Sequence, residues 1–452
     1  MTGISLIIVF VLAIVLMVVA ISKFKIHPFL SIMGVSLLLA LVAGIEMTEI
    51  PGVIGAGFSG TFSSIGIVII LGALIGSILE QTGAALKLAD MVVKLVGKKN
   101  PELAIELMGW VVSIPVFCDS GFVILDPIRR ALVRRTGTSS VAMTMALSTG
   151  LYISHVFIPP TPGPIAAAST LGIGESLLLV MGLGLLCSIF PLIAGLVYAK
   201  FIGKRVKSQD ELAEFGEIVK TYEELVLEYG KLPGGLNSLA PLLIPVLLMA
   251  MGTIATVAGF SGIWRNLFKF LGTPIIALAV GTLFAIIQLA TAKKMEQFYA
   301  ITNDSLKTVG PILFVTAAGG VLGKVISSTS LVSYITENAG FLESMGIFFP
   351  FLLAAILKTA QGSSTVAITT TAGIMAPLMA TMGLDTPVLA ALTVMAIGAG
   401  AMTVSHANDS YFWVVTNFGE MTPQQGYKTQ TMLTLFMGVA SIIGIFIFSL
   451  FF

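Results

Sequence analysis

The stretch Ser154-His-Val-Phe-Ile-Pro-Pro-Thr-Pro-Gly-Pro164 decides how this chain is read. It lies inside an apolar run from about residue 140 to 171, long enough to cross a bilayer. Yet Pro159, Pro160, Pro162 and Pro164 crowd around Gly163, and proline removes a backbone donor and clashes with the preceding turn. The run is therefore expected to unwind in its middle. Unwound backbone in an apolar setting must be buried in protein or line a wet cavity, because its N–H and C=O groups need partners. The freed carbonyls, and the N-terminus of the half-helix from Ile165 onward, then become groups that can hold a ligand. A helix N-terminus favours an anion. Ser154 and Thr161 offer hydroxyls there, and Gly163 a bare backbone N–H. His155 can bond a ligand hydroxyl or relay a proton. It can equally serve only to hold the unwound backbone.

Working outward, the rest of the chain is of the same character. Hydrophobic residues make up 56% and charged residues 10% of the 452 residues, and mean hydropathy is +1.01. A soluble domain carries roughly 25% charged residues, so this chain lacks the polar surface to cover a soluble globule. Net charge is +1, which gives no sign of nucleic-acid binding. Cys118 and Cys187 both sit in apolar runs without metal-ligand spacing, so neither a disulfide framework nor a metal site is expected. Residues 4–22 run uncharged with no basic segment before them, and read as a retained first helix. The absence of a Walker A sequence speaks against ATP-driven chemistry by this chain.

Apolar runs predict about twelve spans, with interruptions in 103–134, 140–171, 345–382 and 386–417. A polar stretch over residues 200–237 separates two halves, and its charge periodicity suggests a surface helix. Landmarks in the first half recur in the second in the same order and at near-constant spacing: Gly72 and Gly76 with Gly319 and Gly323, Pro127 with Pro377, Ser154-His155 with Ser405-His406. Short amphipathic pieces follow the glycine pairs near 84–97 and 330–342. Lys and Arg collect at Lys23 and Lys25, at Lys94 to Lys99, at Arg129 to Arg135, at Lys200 to Lys207 and at Lys293 and Lys294. The positive-inside rule makes these cytoplasmic and both termini external. Arg265 and Lys269 then fall outside, a minor violation. The four-Arg cluster reads as a topology determinant. The predicted fold is an all-α polytopic membrane protein of about 12 spans in two inverted-topology repeats, 1–199 and 238–452, joined by a cytoplasmic linker over 200–237. Each repeat carries a re-entrant hairpin and a broken helix. Such repeats point to an alternating-access carrier with its site near the midplane.

Three further segments carry polar groups where they are costly. In Ser113-Ile-Pro-Val-Phe-Cys-Asp-Ser-Gly121 the flanking apolar arms are too short to span, so the segment reads as the tip of a hairpin. It offers Asp119, an intramembrane carboxylate and hence a functional candidate, and Ser120. Residues 358–371 form the second hairpin candidate, with Gln361, Ser363, Ser364 and Thr365 clustered around Gly362 as uncharged donors. Lys358 can counter a carboxylate or snorkel to an interface, and snorkelling is the preferred reading. Thr403-Val-Ser-His-Ala-Asn-Asp-Ser410 is the counterpart of the Pro-rich break and supplies Ser405, His406, Asn408 and Asp409. A purely structural role would require every polar group of that break to be satisfied internally.

These four segments resemble those of the gluconate permease (gluconate:proton symporter) family, within the ion transporter superfamily. The carrying motifs are Pro-Val-Phe-Cys-Asp-Ser-Gly-Phe-Val (115–123), Ser-His-Val-Phe-Ile-Pro-Pro-Thr-Pro-Gly-Pro (154–164), Gly-Ser-Ser-Thr-Val-Ala (362–367) and Ser-His-Ala-Asn-Asp-Ser-Tyr-Phe-Trp (405–413). The resemblance runs nearly end to end. It implies transport of gluconate or a related hydroxy acid with proton symport. From the superfamily it implies a homodimer and an elevator motion. Many members carry Glu at the first hairpin, where this chain has Asp119 followed by Ser120. The charge is kept on a shorter arm and a hydroxyl is added.

The expectation is thus a carrier of a small organic anion in a bacterial inner membrane, with no cofactor, metal or nucleic-acid partner. Ser120, Ser154, Thr161, Gly163, Gln361, Gly362, Ser363, Ser364, Thr365, Ser405 and Asn408 are the expected substrate ligands. Asp119, His155, His406 and Asp409 are the candidate proton carriers. The rivals are sodium coupling, another cargo such as D-serine or glycerate, an integral-membrane enzyme using His155 and Asp119, and a passive channel.

Overall fold

The computed structural model describes residues 4–88, 91, 100–212, 232–257, 260–330, 345–407 and 409–452. Regular structure among these residues is helical throughout. The expected amphipathic pieces beyond residues 91 and 330, most of the linker (213–231) and Asn408 lie outside the described residues.

In the first half, α1 (Ile4–Ser22), α2 (Pro28–Val42) and α3 (Ile50–Gln81) precede a helical hairpin, α4 (Pro101–Val112) and α5 (Cys118–Thr136). The broken helix follows as α6 (Ser140–Phe157) and α7 (Pro162–Thr170), then α8 (Leu177–Cys187) and α9 (Ile189–Ile202). In the second half come α10 (Gly235–Val257), α11 (Gly262–Leu271), α12 (Pro274–Thr291) and α13 (Phe298–Ser327). The second hairpin is α14 (Phe348–Gln361) and α15 (Ser364–Met375), and the second broken helix is α16 (Pro387–Met402) and α17 (Ser410–Phe418). The last helix is α18 (Met432–Ser449). Among the described residues, 6 helical stretches, the α6–α7 unit among them, are long and apolar enough to cross a membrane by length and composition. The expected interruptions are real breaks.

Elements of one half begin at matching places in the other: Pro101 with Phe348, Cys118 with Ser364, Ser140 with Pro387 and Pro162 with Ser410. The halves interlock. Helix α3 packs along α13, α7 along α15, and α6 against α16. The α6–α7 unit is buried throughout its most apolar stretch, so the broken helix sits at the centre. Helix α11, which the apolar-run reading missed, is a short surface helix with no buried residue. It carries Arg265 and Lys269 beside exposed Ile263, Trp264 and Phe270. Its two cations therefore belong to an amphipathic surface helix.

Close helix approach at the centre depends on glycine. Gly150 on α6 lies so tightly against α4 that a Cβ there would fall 1.9 Å from the Glu106 carbonyl oxygen and 2.6 Å from the Trp110 nitrogen. Both are backbone atoms, so the contact can be relieved only by moving a helix. Gly150→Ala is expected to lower stability by about 1–3 kcal/mol through this overpacking. Gly34→Ala on α2, where a Cβ would meet nothing within 4 Å, is expected to be neutral or slightly stabilising. Thermal unfolding of the purified variants in detergent, followed by gel filtration, checks both.

Candidate functional site

A cavity of about 340 Å³ opens where the two hairpins meet the second break. Four chain segments reach it at the start of a helix. The first turn of α5 brings Cys118, Asp119 and Ser120, and the start of α15 brings Ser364, Thr365 and Val366, with Ser363 at its cap. Asp409 and Ser410 arrive at the start of α17, and His27 and Pro28 at the start of α2. Thr308, Pro311, Ile312 and Val315 of α13 form a side wall, and His155 of α6 reaches the lining from the centre. First-turn backbone and the positive dipole end of each helix thus border one space, the arrangement that suits an anion.

Each start has a local cause. Gly362 takes a left-handed φ of 90°, which ends α14 and turns the chain. The Ser363 side chain then accepts from the Val366 N–H at 3.3 Å and caps α15. Asp409 caps α17 by accepting from the Tyr411 N–H at 3.1 Å. The hairpin tip of the first half occupies residues 113–117, where Ser113 donates to the Val116 carbonyl at 2.9 Å. Asp119 therefore lies in the first turn of α5, past the tip.

Behind the cavity wall stands a buried ion pair. Lys358 Nζ donates to Asp409 Oδ2 at 2.6 Å, with side-chain exposures of 0% and 6%. Lys358 also donates to the Gly362 carbonyl and lies 5.7 Å from the centre of the Tyr152 ring. Snorkelling of Lys358 is overturned: its ammonium turns into the protein and ties the second hairpin tip to the second break. Ser405 Oγ donates to the same Asp409 oxygen at 2.6 Å. The Asp409 carboxylate is thus fully engaged. A lone cation within an apolar hairpin arm, with an aspartate in the facing break, was the signal available in the sequence.

The expected ligand groups divide. Asp119, Ser120, His155, Ser363, Ser364, Thr365 and Asp409 come together on the cavity. Ser154, Thr161, Gly163, Gly362, Ser405 and His406 are not on its lining. Ser154 donates to the Trp110 carbonyl at 2.5 Å, and Thr161 to the Ile158 carbonyl at 2.7 Å. Gly163 meets the Ile368 side chain. His406 Nε2 pairs with the Thr359 carbonyl at 3.0 Å. The Ser405 N–H donates to Thr434 at 2.9 Å and its carbonyl accepts from Thr431 at 2.6 Å. Most described polar groups of the second break are therefore satisfied internally, which gives Ser405 and His406 a holding role. The Gln361 side chain and Asn408 lie outside the described set. Cys118, Ser410 and Tyr411, within the motifs but not among the expected ligands, also join the lining, and His27 and Thr308 join it from outside any motif. Ser410 Oγ faces Asp119 Oδ1 at 3.5 Å.

The arginine cluster also changes meaning. Arg129 is fully buried, donating to Asp126 at 2.6 Å, to Ser140 Oγ at 2.7 Å and to the Phe418 carbonyl at 3.2 Å. Arg130 donates to Asp126 at 2.7 Å, to Glu420 at 2.5 Å and to the Phe418 carbonyl at 3.1 Å. Two guanidinium groups thus hold the C-terminus of α17 against α5, where the helix dipole favours cations. They clasp the first hairpin to the second broken helix.

Removing one member of the buried pair strands the other. Lys358→Met and Asp409→Asn are each expected to cost about 3–5 kcal/mol. The double variant is expected to cost clearly less than the sum of the two. Unfolding midpoints of the three variants in detergent check this.

Comparison with known proteins agrees with this architecture. The model of the GntP family of permeases matches residues 4–451. An uncharacterized permease of Haemophilus influenzae is 33% identical over 420 residues, covering 89% of this chain and 84% of that one. The low-affinity gluconate transporter of Escherichia coli is 31% identical over 459 residues, covering 100% of both. In structure, the Alcanivorax borkumensis YdaH transporter superposes with a TM-score of 0.62 at 16% identity, over 94% of this chain and 97% of that one, a likeness of fold alone. These relatives are permeases and transporters, so the membrane-enzyme alternative falls away. The buried broken helices and convergent helix starts described above are those of a multi-pass membrane protein of the GntP permease family.

Proposed function

We propose that this chain is a secondary transporter that imports a gluconate-like sugar acid across the bacterial inner membrane by proton symport. The observation that carries the proposal is the convergence of helix starts on one cavity beside a buried, neutralised Lys358–Asp409 pair. A carboxylate is the ligand such a place favours. Ser120, Ser364, Thr365 and Ser410 supply hydroxyls suited to the polyhydroxy chain of a sugar acid. The cavity volume of about 340 Å³ lies within the usual range of roughly 300–1,000 Å³ for small-molecule sites. The E. coli relative named as a gluconate transporter supports the substrate class.

The Lys358 charge is already cancelled by Asp409, so it does not by itself attract a second anion. The unpaired acid on the lining is Asp119, and a substrate carboxylate entering beside it meets like charge. A proton on Asp119 removes that repulsion. Proton and anion then bind more tightly together than apart, and the linkage is reciprocal. The loaded site also carries less charge across the bilayer. His155, also on the lining, serves in this reading to orient substrate.

Alternating access follows from the two halves if they have opposite orientation in the membrane, with both termini on the periplasmic side and the 200–237 segment in the cytoplasm. The matched helix starts of the two halves support the repeat. An elevator motion and a homodimer rest on the resemblance of the motifs to the superfamily.

Purified protein in liposomes, given an inward-acid pH gradient, is expected to accumulate labelled gluconate. Asp119→Asn is expected to lower that accumulation at least tenfold. Uptake by the wild type that ignores the pH gradient and follows sodium instead would contradict proton symport.

A further inference from the structure

Five charged side chains are buried among the described residues: Glu106, Asp126, Arg129, Lys358 and Asp409. Four of them pair, Arg129 with Asp126 and Lys358 with Asp409. Glu106 does not. It lies midway along α4 at 0% exposure, and neither carboxyl oxygen has a hydrogen-bond partner. One turn further along the same face, the Trp110 Nε1–H is also buried without an acceptor. A donor and an acid thus sit unmatched in the first hairpin arm, on residues whose backbone approaches Gly150 of α6. The acid lies outside the substrate cavity. The helix that carries it is tied to the helix that carries the lining residue His155, because Ser154 of α6 donates to the Trp110 carbonyl.

From this geometry we infer that Glu106 is a proton-binding site of the carrier, occupied in the state seen here. The inference rests on the carrier reading above and adds a second site to Asp119. An ionised carboxylate with no donor, in a packed apolar interior, is too costly to persist, so the group holds its proton. Titratable groups on the helices packed against α4 have other surroundings; Arg134 of α5 is exposed and Cys118 lines the cavity. On α6, Tyr152 packs at a tilt against Tyr411, with ring centres 4.9 Å apart, and His155 faces the cavity. On α5, Asp126, Arg129 and Arg130 are bonded among themselves and to α17, and Asp119 faces the cavity. On α9, Tyr198 donates to the Lys428 carbonyl, and Lys200 carries a half-buried ammonium that is not bonded to Glu106. Lys200 lies in the last turn of α9, at the polar end of the chain's first half. Movement of the hairpin arm relative to α9 would bring carboxyl and ammonium together, favour the ion pair and release the proton. The reverse movement would break the pair and take a proton up. The step is a plain proton transfer between carboxyl and water, with no other reactant.

Infrared difference spectroscopy of the purified protein tests the site. Its absorption from protonated carboxyl groups is expected to lose a component in Glu106→Gln and to shift it in Glu106→Asp. In liposomes, the number of protons moved per gluconate is expected to fall in Glu106→Gln and to be kept in Glu106→Asp, where the acid remains. An unchanged spectrum, or an unchanged ratio in Glu106→Gln, would overturn the inference. If wild-type protein moves no protons with gluconate, the symport reading fails. The spectrum alone then decides whether Glu106 is a proton site.

Discussion

A charge buried in an apolar chain has to bring its partner with it, and the Lys358–Asp409 pair is where this rule bears hardest. Lys358 leaves the second hairpin just before its tip, and Asp409 sits at the lip of the second break. Their bond fixes the tip against the break, and with it the positions of Ser363, Ser364 and Thr365 relative to Ser410. Ser405, the Gly362 carbonyl and the Tyr411 N–H complete the set. A half-satisfied network here would be worse than none. The second clasp, Arg129 and Arg130 on the Phe418 carbonyl, does the same at the far end of α17. Between them the two clasps make the first hairpin, the second hairpin and the second broken helix one body.

The two breaks achieve their unwinding differently. The first is written in prolines and needs few side-chain partners: Thr161 closes onto Ile158, and Ser154 reaches across to α4. The second has no proline. Val404 adopts a φ of 59°, a region seldom used by a β-branched residue, and such strain is held only where the surroundings over-determine it. Thr431, Thr434 and Asp409 provide that hold. Matching glycines also meet unlike partners. Gly72 and Gly76 of α3 approach the carbonyls of Pro160 and Pro115, at the first break and first tip. Gly319 and Gly323 of α13 approach Thr369 and Gly373, within the body of α15.

Much of this was legible in the sequence. Proline crowding located the first break, and the spacing of Ser154-His155 and Ser405-His406 located the second. Short apolar arms around Asp119 and around Ser363 gave both hairpins. What stayed hidden were relations between distant segments. Nothing local to Lys358 says that its ammonium turns inward to Asp409, and nothing in Arg129 says that it is wholly buried. His27 and Thr308 reach the cavity only because α2 and α13 pack where they do. Nor does local polarity say that Thr161 bonds the Ile158 carbonyl, Ser405 the Asp409 carboxylate and His406 the Thr359 carbonyl. Glu106 is one of two acids, with Glu102, in a helix beginning Pro-Glu, a pattern that reads as a solvated face. Only burial on all sides distinguishes it.

The central claim is that the substrate occupies the cavity between the helix starts. A cysteine introduced at the exposed Ser363, in protein with Cys118 and Cys187 replaced by alanine, reports on that space directly through its rate of alkylation by a maleimide. The account predicts that gluconate slows this alkylation in a saturable way, at concentrations that also saturate uptake. An alkylation rate indifferent to gluconate, in protein that still transports it, would contradict the assignment of the cavity as the substrate site.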